Sequence, residues 1–187
     1  GNSMKKINFI VASTALAWIC HGYGMDKINK PTDSYGFQRY GKKTVESIQG
    51  HGEIILDGTI VLELVRINGN LNAEESAIGS LQVNGQVDLK NCVVNNLATI
   101  NGSLHADNTK FLKELSVASE RITLKTCSVD SLIIREVSGY DGIQVLDLRI
   151  GTKITGPIVV ESGHGEIWLS SSSEISDQVS GAKVVKK

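Results

Sequence analysis

The fold of this chain is decided by one short phrase that occurs three times: Ile67-Asn68-Gly69-Asn70-Leu71, Val83-Asn84-Gly85-Gln86-Val87 and Ile100-Asn101-Gly102-Ser103-Leu104. The phrases begin 16 and then 17 residues apart, and Val117 and Ile134 continue the same phase at steps of 17. Each phrase places apolar residues on both sides of a glycine-containing turn signal. Self-similarity at a fixed short period is typical of a solenoid, in which every repeat is one structural unit.

Further columns of residues keep the same period. In five successive copies an apolar residue is followed three positions later by a small one: Leu56 and Thr59, Ala73 and Ser76, Leu89 and Cys92, Ala106 and Thr109, Leu124 and Cys127. Two positions after each small residue stands another apolar one: Val61, Ile78, Val94, Phe111 and Val129. We also expect Leu64, Leu81 and Leu115 to form one file. Because the columns agree in phase, residues one repeat apart should lie directly above one another.

A unit of 16–18 residues holds too few apolar side chains to enclose a core by itself. It must therefore bury its inward face against the copies above and below it. The sequence predicts an all-β chain that forms a single-stranded parallel β-helix, a solenoid of about seven coils of 16–18 residues. The steps of 16 and 17 break the strict count of left-handed hexapeptide helices, and the consensus of leucine-rich repeats is missing, which favours a right-handed helix.

The residues before the repeat have the anatomy of a targeting segment. Residues 1–3 precede a natural-looking start at Met4 and are typical of a tag remnant. Residues 4–24 contain two lysines and then an apolar run that is shorter than the roughly 20 residues of a transmembrane helix, which indicates a signal peptide. The small residues at its end favour cleavage after Gly24. Cys20 leaves a lipoprotein as the alternative, although the bulky Ile19 precedes it.

The remaining chain has room for one domain. Removing residues 1–24 takes away two lysines and no acidic residue, which changes the net charge from −1 to −3 and does not favour a nucleic-acid partner. We expect residues 25–47, which Pro31 and several glycines interrupt, to form an N-terminal cap or arm, and residues 48–187 to form the solenoid. The mature chain should be exported, to the periplasm or beyond it, without an integral membrane span.

Two places are candidates for interaction. Tyr35, Phe37 and Tyr40 lie within six positions of one another, where the open end of a solenoid has to be covered by a cap or by a partner. The second place is an insertion at residues 138–142, after which the repeat loosens. Insertions in solenoids loop out on one face, so Tyr140 and Asp141 are further possible interaction residues.

Residues with reactive side chains have structural explanations in this pattern. Cys92 and Cys127 occupy equivalent positions two coils apart, about 9–10 Å, which is too far for a disulfide, so we expect two buried free thiols. The pentapeptides at residues 50–54 and 163–167 both contain Gly-His-Gly-Glu-Ile. In a stack they lie about 25–30 Å apart, so we expect a recurrent turn near each end and no shared metal site.

The sequence contains no carboxylate ladder at coil spacing, no Ser-His-Asp order with a nucleophile elbow and no phosphate-binding loop. It therefore predicts no catalytic residues, no metal ligands and no cofactor, and we expect a non-enzymatic role. The three phrases quoted first resemble those of bactofilins, the bacterial polymer-forming cytoskeletal proteins, whose repeats carry similar apolar-x-Gly-x-apolar units. The resemblance covers about residues 48–135. It implies a right-handed, three-faced β-helix without a cofactor, and end-to-end self-association.

Three functions are compatible with these expectations. The first is an exported structural or interaction protein of the bacterial envelope or secretome, which presents its faces or ends to a protein, an envelope component or a host surface. The second is a glycan-binding or glycan-degrading β-helix protein with a site beside residues 138–152. The third is a self-assembling filament subunit.

Overall fold

The computed structural model of the chain describes residues 34–187. The predicted tag remnant, the predicted signal peptide and the first part of the predicted cap lie outside the described residues. Seventeen strands occur in the described range. They are β1 (Ser34–Tyr40), β2 (Thr44–Val45), β3 (Ile48–Asp57), β4 (Ile60–Glu74), β5 (Ala77–Lys90), β6 (Val93–Val94), β7 (Ala98–Asp107), β8 (Lys110–Ala118), β9 (Arg121–Lys125), β10 (Ser128–Arg135), β11 (Gln144–Arg149), β12 (Lys153–Ile154), β13 (Ile158–Val160), β14 (Gly165–Leu169), β15 (Glu174–Ile175), β16 (Val179–Ser180) and β17 (Ala182–Lys186).

All pairings between these strands are parallel, and each strand pairs with the stretch one coil later. Ile67, for example, pairs with Val83, which pairs with Ile100, and the three repeated phrases lie directly above one another. Parallel strands need a crossover connection, which here is the rest of the coil itself. The predicted parallel β-solenoid is therefore confirmed.

The stack is longer than the predicted seven coils. Coils 1 to 8 begin at the residues in register with Ile67, and a ninth coil is begun by β17. These starting residues are Ser34, Gly50, Ile67, Val83, Ile100, Val117, Ile134 and Val160. The described ladder includes residues 34–40, which precede the predicted start at Ile48, because β1 pairs with β3 along its whole length. Sequence periodicity missed β1 because its outward residues include large aromatic side chains, which hide the alternation.

Three sheet faces enclose the core. Residues 59–75 make one full turn of the helix, from the end of coil 2 into coil 3. In this turn face A contains residues 60–62, face B contains residues 64–68 and face C contains residues 70–74, and each face includes the equivalent residues of the other coils. Inward side chains form columns of buried aliphatic residues, such as Ile54, Leu71, Val87, Leu104, Ile122, Leu146 and Ile167. Phe111 is the one large ring among the fully buried side chains of the described residues. No helix of residues 34–187 has the length and apolarity needed to cross a membrane.

One predicted file of leucines is shifted by a residue. Leu81 and Leu115 do share a column, through Ala98, but the member contributed by the coil below is Val65 and not Leu64. Leu64 pairs with Ser80 and is half-buried. The register shifts between Val61 and Leu64, where an irregularity gives this strand an extra residue. A bulge of this kind moves every following side chain by one position, which a count along the sequence does not detect.

The corner between faces B and C is formed by a column of glycines: Gly52, Gly69, Gly85 and Gly102. Their φ angles lie between +123° and +143°, a region that side chains with a Cβ rarely adopt. A Cβ on Gly85 would lie 1.9 Å from the carbonyl oxygen of Gly69. The ladder can therefore bend around this corner without a break only where the residue is glycine.

The corner between faces C and A is formed by the predicted column of small residues, which runs through seven coils. Each member is buried, and the hydroxyls of Ser76, Thr109, Thr152 and Ser173 each accept a hydrogen bond from the backbone N–H of the small residue in the coil before. Thr59 N donates to Ser76 Oγ (3.1 Å), and Cys127 N donates to Thr152 Oγ1 (3.2 Å). In the described residues no buried side-chain nitrogen or oxygen lacks a hydrogen-bond partner.

Candidate functional site

The aromatic residues at the start of β1 lie on the outside of the first coil. The Tyr35 side chain is 76% exposed and the Phe37 side chain is 61% exposed. The Tyr35 ring stacks on the imidazole of His51 in the next coil, with 5.0 Å between the ring centres and 10° between the planes. Because large aromatic side chains are normally covered, these two exposed rings make the strand a candidate contact surface.

Tyr40 does not belong to this surface. Its ring points inward in register with Leu56 and packs against the core. Its hydroxyl donates to Gln38 Oε1 at 3.0 Å, and the ammonium group of Lys43 lies 5.1 Å from the ring centre. Burial raises the pKa of the Tyr40 hydroxyl. Of the three aromatic residues that the sequence groups together, the structure therefore keeps Tyr35 and Phe37 on the surface and uses Tyr40 to close the first coil.

The insertion lies between β10 and β11, outside the ladder. Residues 119–120 connect the flanking strands in coil 6, whereas residues 136–143 make the same connection in coil 7. Tyr140 closes the turn, since its hydroxyl donates to the carbonyl oxygen of Ile143 at 2.9 Å. Asp141 is exposed at the tip. The buried side chain of Gln144 holds the base of the loop by donating to the carbonyls of Ser119 (2.9 Å) and Arg135 (2.8 Å).

The two candidate places do not form one site. Tyr35 lies in coil 1 and Tyr140 in coil 7, six coil spacings or about 29 Å apart. Both lie at the end of face B that meets face C, since Tyr35 is in the column that leads to Arg135. A partner would have to be an extended molecule or a large surface to contact both.

Sequence reasoning missed a third cluster, on face C of coils 6 to 9. The Trp168 ring has the guanidinium of Arg121 4.8 Å from its centre and the ammonium group of Lys187 4.5 Å from it. Trp168 Nε1 donates to Glu166 Oε1 at 2.8 Å. The cation–π contacts and the hydrogen bond fix the ring on the surface of the sheet.

A buried carboxylate supports this cluster from below. Asp147 pairs in register with Trp168, and its side chain is only 8% exposed. It accepts hydrogen bonds from Arg121 and Arg149, both at 2.8 Å. The hydrogen bond and the charge of Asp147 raise the pKa of the Arg149 guanidinium. The sequence gives little sign of this cluster, because insertions separate Arg121, Asp147 and Trp168 by unequal steps that hide their alignment.

The cysteines and histidines occupy the predicted places. Cys92 and Cys127 are free and buried, and burial raises the pKa of each thiol to about 12. His51 lies in coil 2 and His164 in coil 8, about 29 Å apart, and Gly52 and Gly165 follow them at the same corner. Within residues 34–187 no group of three or more His, Cys, Asp and Glu side chains is arranged to hold a metal ion.

Comparison of the chain with protein-family models, with curated proteins and with solved structures gives no match. The class that the fold defines is a parallel β-solenoid. Function has to be argued from the side chains on its surface.

Proposed function

We propose that this chain is an exported, non-enzymatic interaction protein that holds a partner against the N-terminal end of a rigid β-solenoid. The observation that carries the proposal is the exposure of Tyr35 (76%) and Phe37 (61%) on the first strand of the described residues. Rigid aromatic side chains lose little conformational entropy on binding and bury a large area, which suits them to be anchors of an interface. The partner is a protein or another component of the bacterial envelope or of a host surface.

The rest of the described chain supports a binding role. Coils joined by parallel ladders on three faces form a stiff scaffold, so a contact residue is held in place before binding. The two groups whose pKa values are displaced to about 12 are thiols sealed in the core, where no substrate reaches them. Tyr35 is further fixed by its stacking on His51.

Replacement of the aromatic anchors tests the proposal. The full chain with Tyr35→Ser and Phe37→Ser should cosediment at least about tenfold more weakly with isolated bacterial envelopes or host membranes than the unmodified chain does. The matched control is the pair Leu112→Ser and Ile143→Ser, which also removes two exposed apolar side chains, 40% and 55% exposed, from other parts of the surface. Equal binding by the unmodified chain and by both variants contradicts the proposal.

Export has its own test. Expression of the full chain in a bacterium, followed by osmotic shock and intact-mass measurement, should give a periplasmic or secreted product whose mass corresponds to cleavage after Gly24. A diacylglyceryl-modified Cys20 would instead indicate the lipoprotein alternative. A cytoplasmic product with an intact N-terminus contradicts export.

A glycan-binding role is a second candidate, because the Trp168 ring lies on an open sheet face with Glu166 and Arg121 beside it. Aromatic rings with adjacent hydrogen-bonding groups are suited to the apolar and polar sides of a sugar ring. Incubation with a panel of neutral and acidic polysaccharides should then show binding that Trp168→Ala removes and Phe37→Ala leaves intact. Release of shorter oligosaccharides would indicate a glycan-degrading enzyme.

The filament alternative requires the two ends of the stack to meet. The first coil carries Arg39, Lys42 and Lys43, and the last carries Lys183, Lys186 and Lys187. Cations at both ends repel one another and discourage the addition of a further strand, which weighs against end-to-end assembly. Light scattering over a concentration series tests this directly. A filament subunit gives a scattering mass that rises without a limit, and more steeply at high salt, where the repulsion is screened.

A further inference from the structure

The outward side chains of face C divide into two halves of opposite charge. Coils 2 to 5 carry five acidic residues and one basic residue on this face: Glu53, Asp57, Glu74, Asp88, Asp107 and Lys90. Coils 6 to 9 carry five basic residues and two acidic ones: Arg121, Lys125, Arg149, Lys183, Lys187, Asp147 and Glu166. The face is therefore a strip along the stack, negative in its first half and positive in its second.

Contacts within the chain neutralise part of this charge. Arg39, in coil 1 of the same face, pairs with Asp57 at 2.8 Å. Asp147 pairs with Arg121 and Arg149, both at 2.8 Å.

Among the described residues, the acidic side chains of Glu53, Asp88 and Asp107 have no ion-pair partner, and Glu74 reaches Lys90 only at 3.8 Å. The coil spacing of about 4.8 Å brings the like charges of Asp57 and Glu74, and of Lys125 and Arg149, close together, which is unfavourable. A shallow groove of about 360 Å³ runs along the acidic half, from Arg39 to Asp107. A surface with these properties is complementary to a surface whose charges run in the opposite order.

We propose that face C is the interface of a homodimer in which two copies of this chain lie face to face with their stack axes antiparallel. A two-fold axis across the strip, between coils 5 and 6, places each acidic half against the basic half of the other copy. Such an interface is isologous, since the same strip serves both copies. A parallel arrangement would instead oppose acidic to acidic and basic to basic.

The register of the strip makes the contacts of this dimer specific. With the axis between coils 5 and 6, coil 2 lies opposite coil 9 of the second copy. Glu53 and Lys183 belong to one column of outward residues, so each faces the other across the interface. In the next outward column, the half-buried Ile55 meets Val185 of the second copy in the same way. Asp107 and Lys125 meet near the axis.

One pair of coils opposes this attraction. Coil 4 lies opposite coil 7, where Asp88 faces Asp147 and Lys90 faces Arg149 of the second copy. Asp147 is held by two arginines of its own chain, so the net attraction comes from the pairs at coils 2 and 9 and at coils 5 and 6.

The size of the strip sets the expected affinity. Five residues across and the eight overlapping coils, 2 to 9, give a flat area of about 16 by 34 Å, or roughly 540 Å² on each copy, below the roughly 800 Å² of a standard interface. Opposed charges steer association and are screened by salt. We therefore expect a dimer of moderate affinity that dissociates as salt increases, whereas a filament held apart by its cationic ends would show the opposite salt dependence.

This inference rests on the proposed function in one respect, namely that the surface of the solenoid binds a partner. It adds that the partner of face C is a second copy of the chain. Sedimentation equilibrium of the full chain should show a monomer–dimer equilibrium whose dissociation constant rises at least about tenfold between about 20 mM and about 500 mM NaCl. A chain that stays monomeric at every concentration in low salt overturns the proposal. Envelope binding through Tyr35 and Phe37 is measured separately, so failure of one proposal leaves the other standing.

A charge exchange tests the register. Glu53→Lys and Lys183→Glu should each weaken the dimer about tenfold or more in low salt, and the double variant should restore the dissociation constant to within about threefold of the original. The two residues are seven coils, or about 34 Å, apart in one chain, so restoration can arise only between copies.

Matched controls make the same charge changes elsewhere. Asp130→Lys and Lys113→Glu alter exposed residues away from face C and should leave dimerisation unchanged. A dimer that the single exchanges do not weaken, or that the double exchange fails to restore, overturns the antiparallel arrangement through face C.

Discussion

Coils 2 to 5 and coils 7 to 9 differ in how the main chain passes the corner between faces B and C. In the first region the strands run through the corner between faces B and C without a break, so that β4 has 15 residues and β5 has 14. In the second region the strands end at this corner, and β10 and β13 have 8 and 3 residues. The difference follows the glycine column, which ends at Gly102. Glycine allows the backbone hydrogen bonds between coils to continue around the corner. Where the corner residue is not glycine the strand ends, and additional residues can be inserted there.

The largest expected effect is at the glycine corner. Gly85→Ala should destabilise the fold by more than about 3 kcal/mol, because its φ is +142° and its Cβ would overlap the carbonyl oxygen of Gly69. Urea unfolding followed by circular dichroism measures the change. The control is Gly139→Ala in the insertion, where φ is +78° and no other atom lies within 4 Å of the added Cβ. This control should lose only about 1 kcal/mol, and equal losses at the two positions contradict the role of the corner.

The next largest effect is expected when an apolar side chain is removed from the interior of each of the two regions. Leu115→Ala should lower the free energy of unfolding by about 3 kcal/mol, because this side chain is fully buried in the regular region. Ile175→Ala, in the later coils, should lower it by about 1 kcal/mol, because its side chain is only partly buried. Both values come from chemical denaturation of the full chain. If the second replacement is as damaging as the first, the later coils are packed as tightly as the earlier ones.

The base of the insertion depends on one buried amide. Gln144→Leu leaves the carbonyls of Ser119 and Arg135 and the hydroxyl of Ser162 without their partner and should lower stability by about 2 kcal/mol. Amide hydrogen exchange of residues 136–143 should accelerate at the same time. Gln82→Leu, on an exposed part of face B, serves as the control and should change stability by less than about 0.5 kcal/mol. Unchanged exchange in the loop would show that Gln144 does not hold it.

The smallest effect is expected from ionisation of the buried thiols at the corner between faces C and A, which both regions share. The folded pKa of Cys92 and Cys127 is about 12 against an ordinary value of 9.0, so the thiols stabilise the fold fully below pH 9 and this contribution is lost as the pH rises from 9 to 12. Between pH 8 and pH 9.5 each thiol should account for about 0.8 kcal/mol of lost stability. The double variant Cys92→Ala and Cys127→Ala should lack this loss but keep the contribution of Tyr40. Identical pH profiles of the two proteins would contradict the burial of the thiols.

Much of the stack is visible in the sequence because identical environments recur at a fixed step. The Asn-Gly phrases and the small-residue column from Thr59 to Cys127 are found in the predicted registers. Leu64 was placed wrongly because a bulge adds a residue without leaving a turn signal. The first described coil was missed because its large outward aromatic residues obscure the alternation.

The candidate surfaces were partly predictable. Tyr35 and Phe37 stand out because large aromatic side chains in an irregular segment are noticeable in any sequence. Trp168 was missed, because the insertion after Arg135 moves it out of phase with Arg121. The charge division of face C depends on knowing which of two neighbouring residues points outward, and only the register supplies that.

The corner between faces C and A has a direction. The N–H groups of four small residues are bonded by the side chain of the residue one coil later, as in Cys92 with Thr109 and Thr152 with Ser173. A coil is therefore finished only when the chain has gone on to make the next one. The last small residue of a nascent chain has an N–H group whose acceptor has not yet been synthesised, so we expect the chain to fold coil by coil during synthesis. The same N–H group can bind the side chain of an additional coil. Lineages of this fold can thus change length by duplication of whole repeats, without redesign of the coils already present.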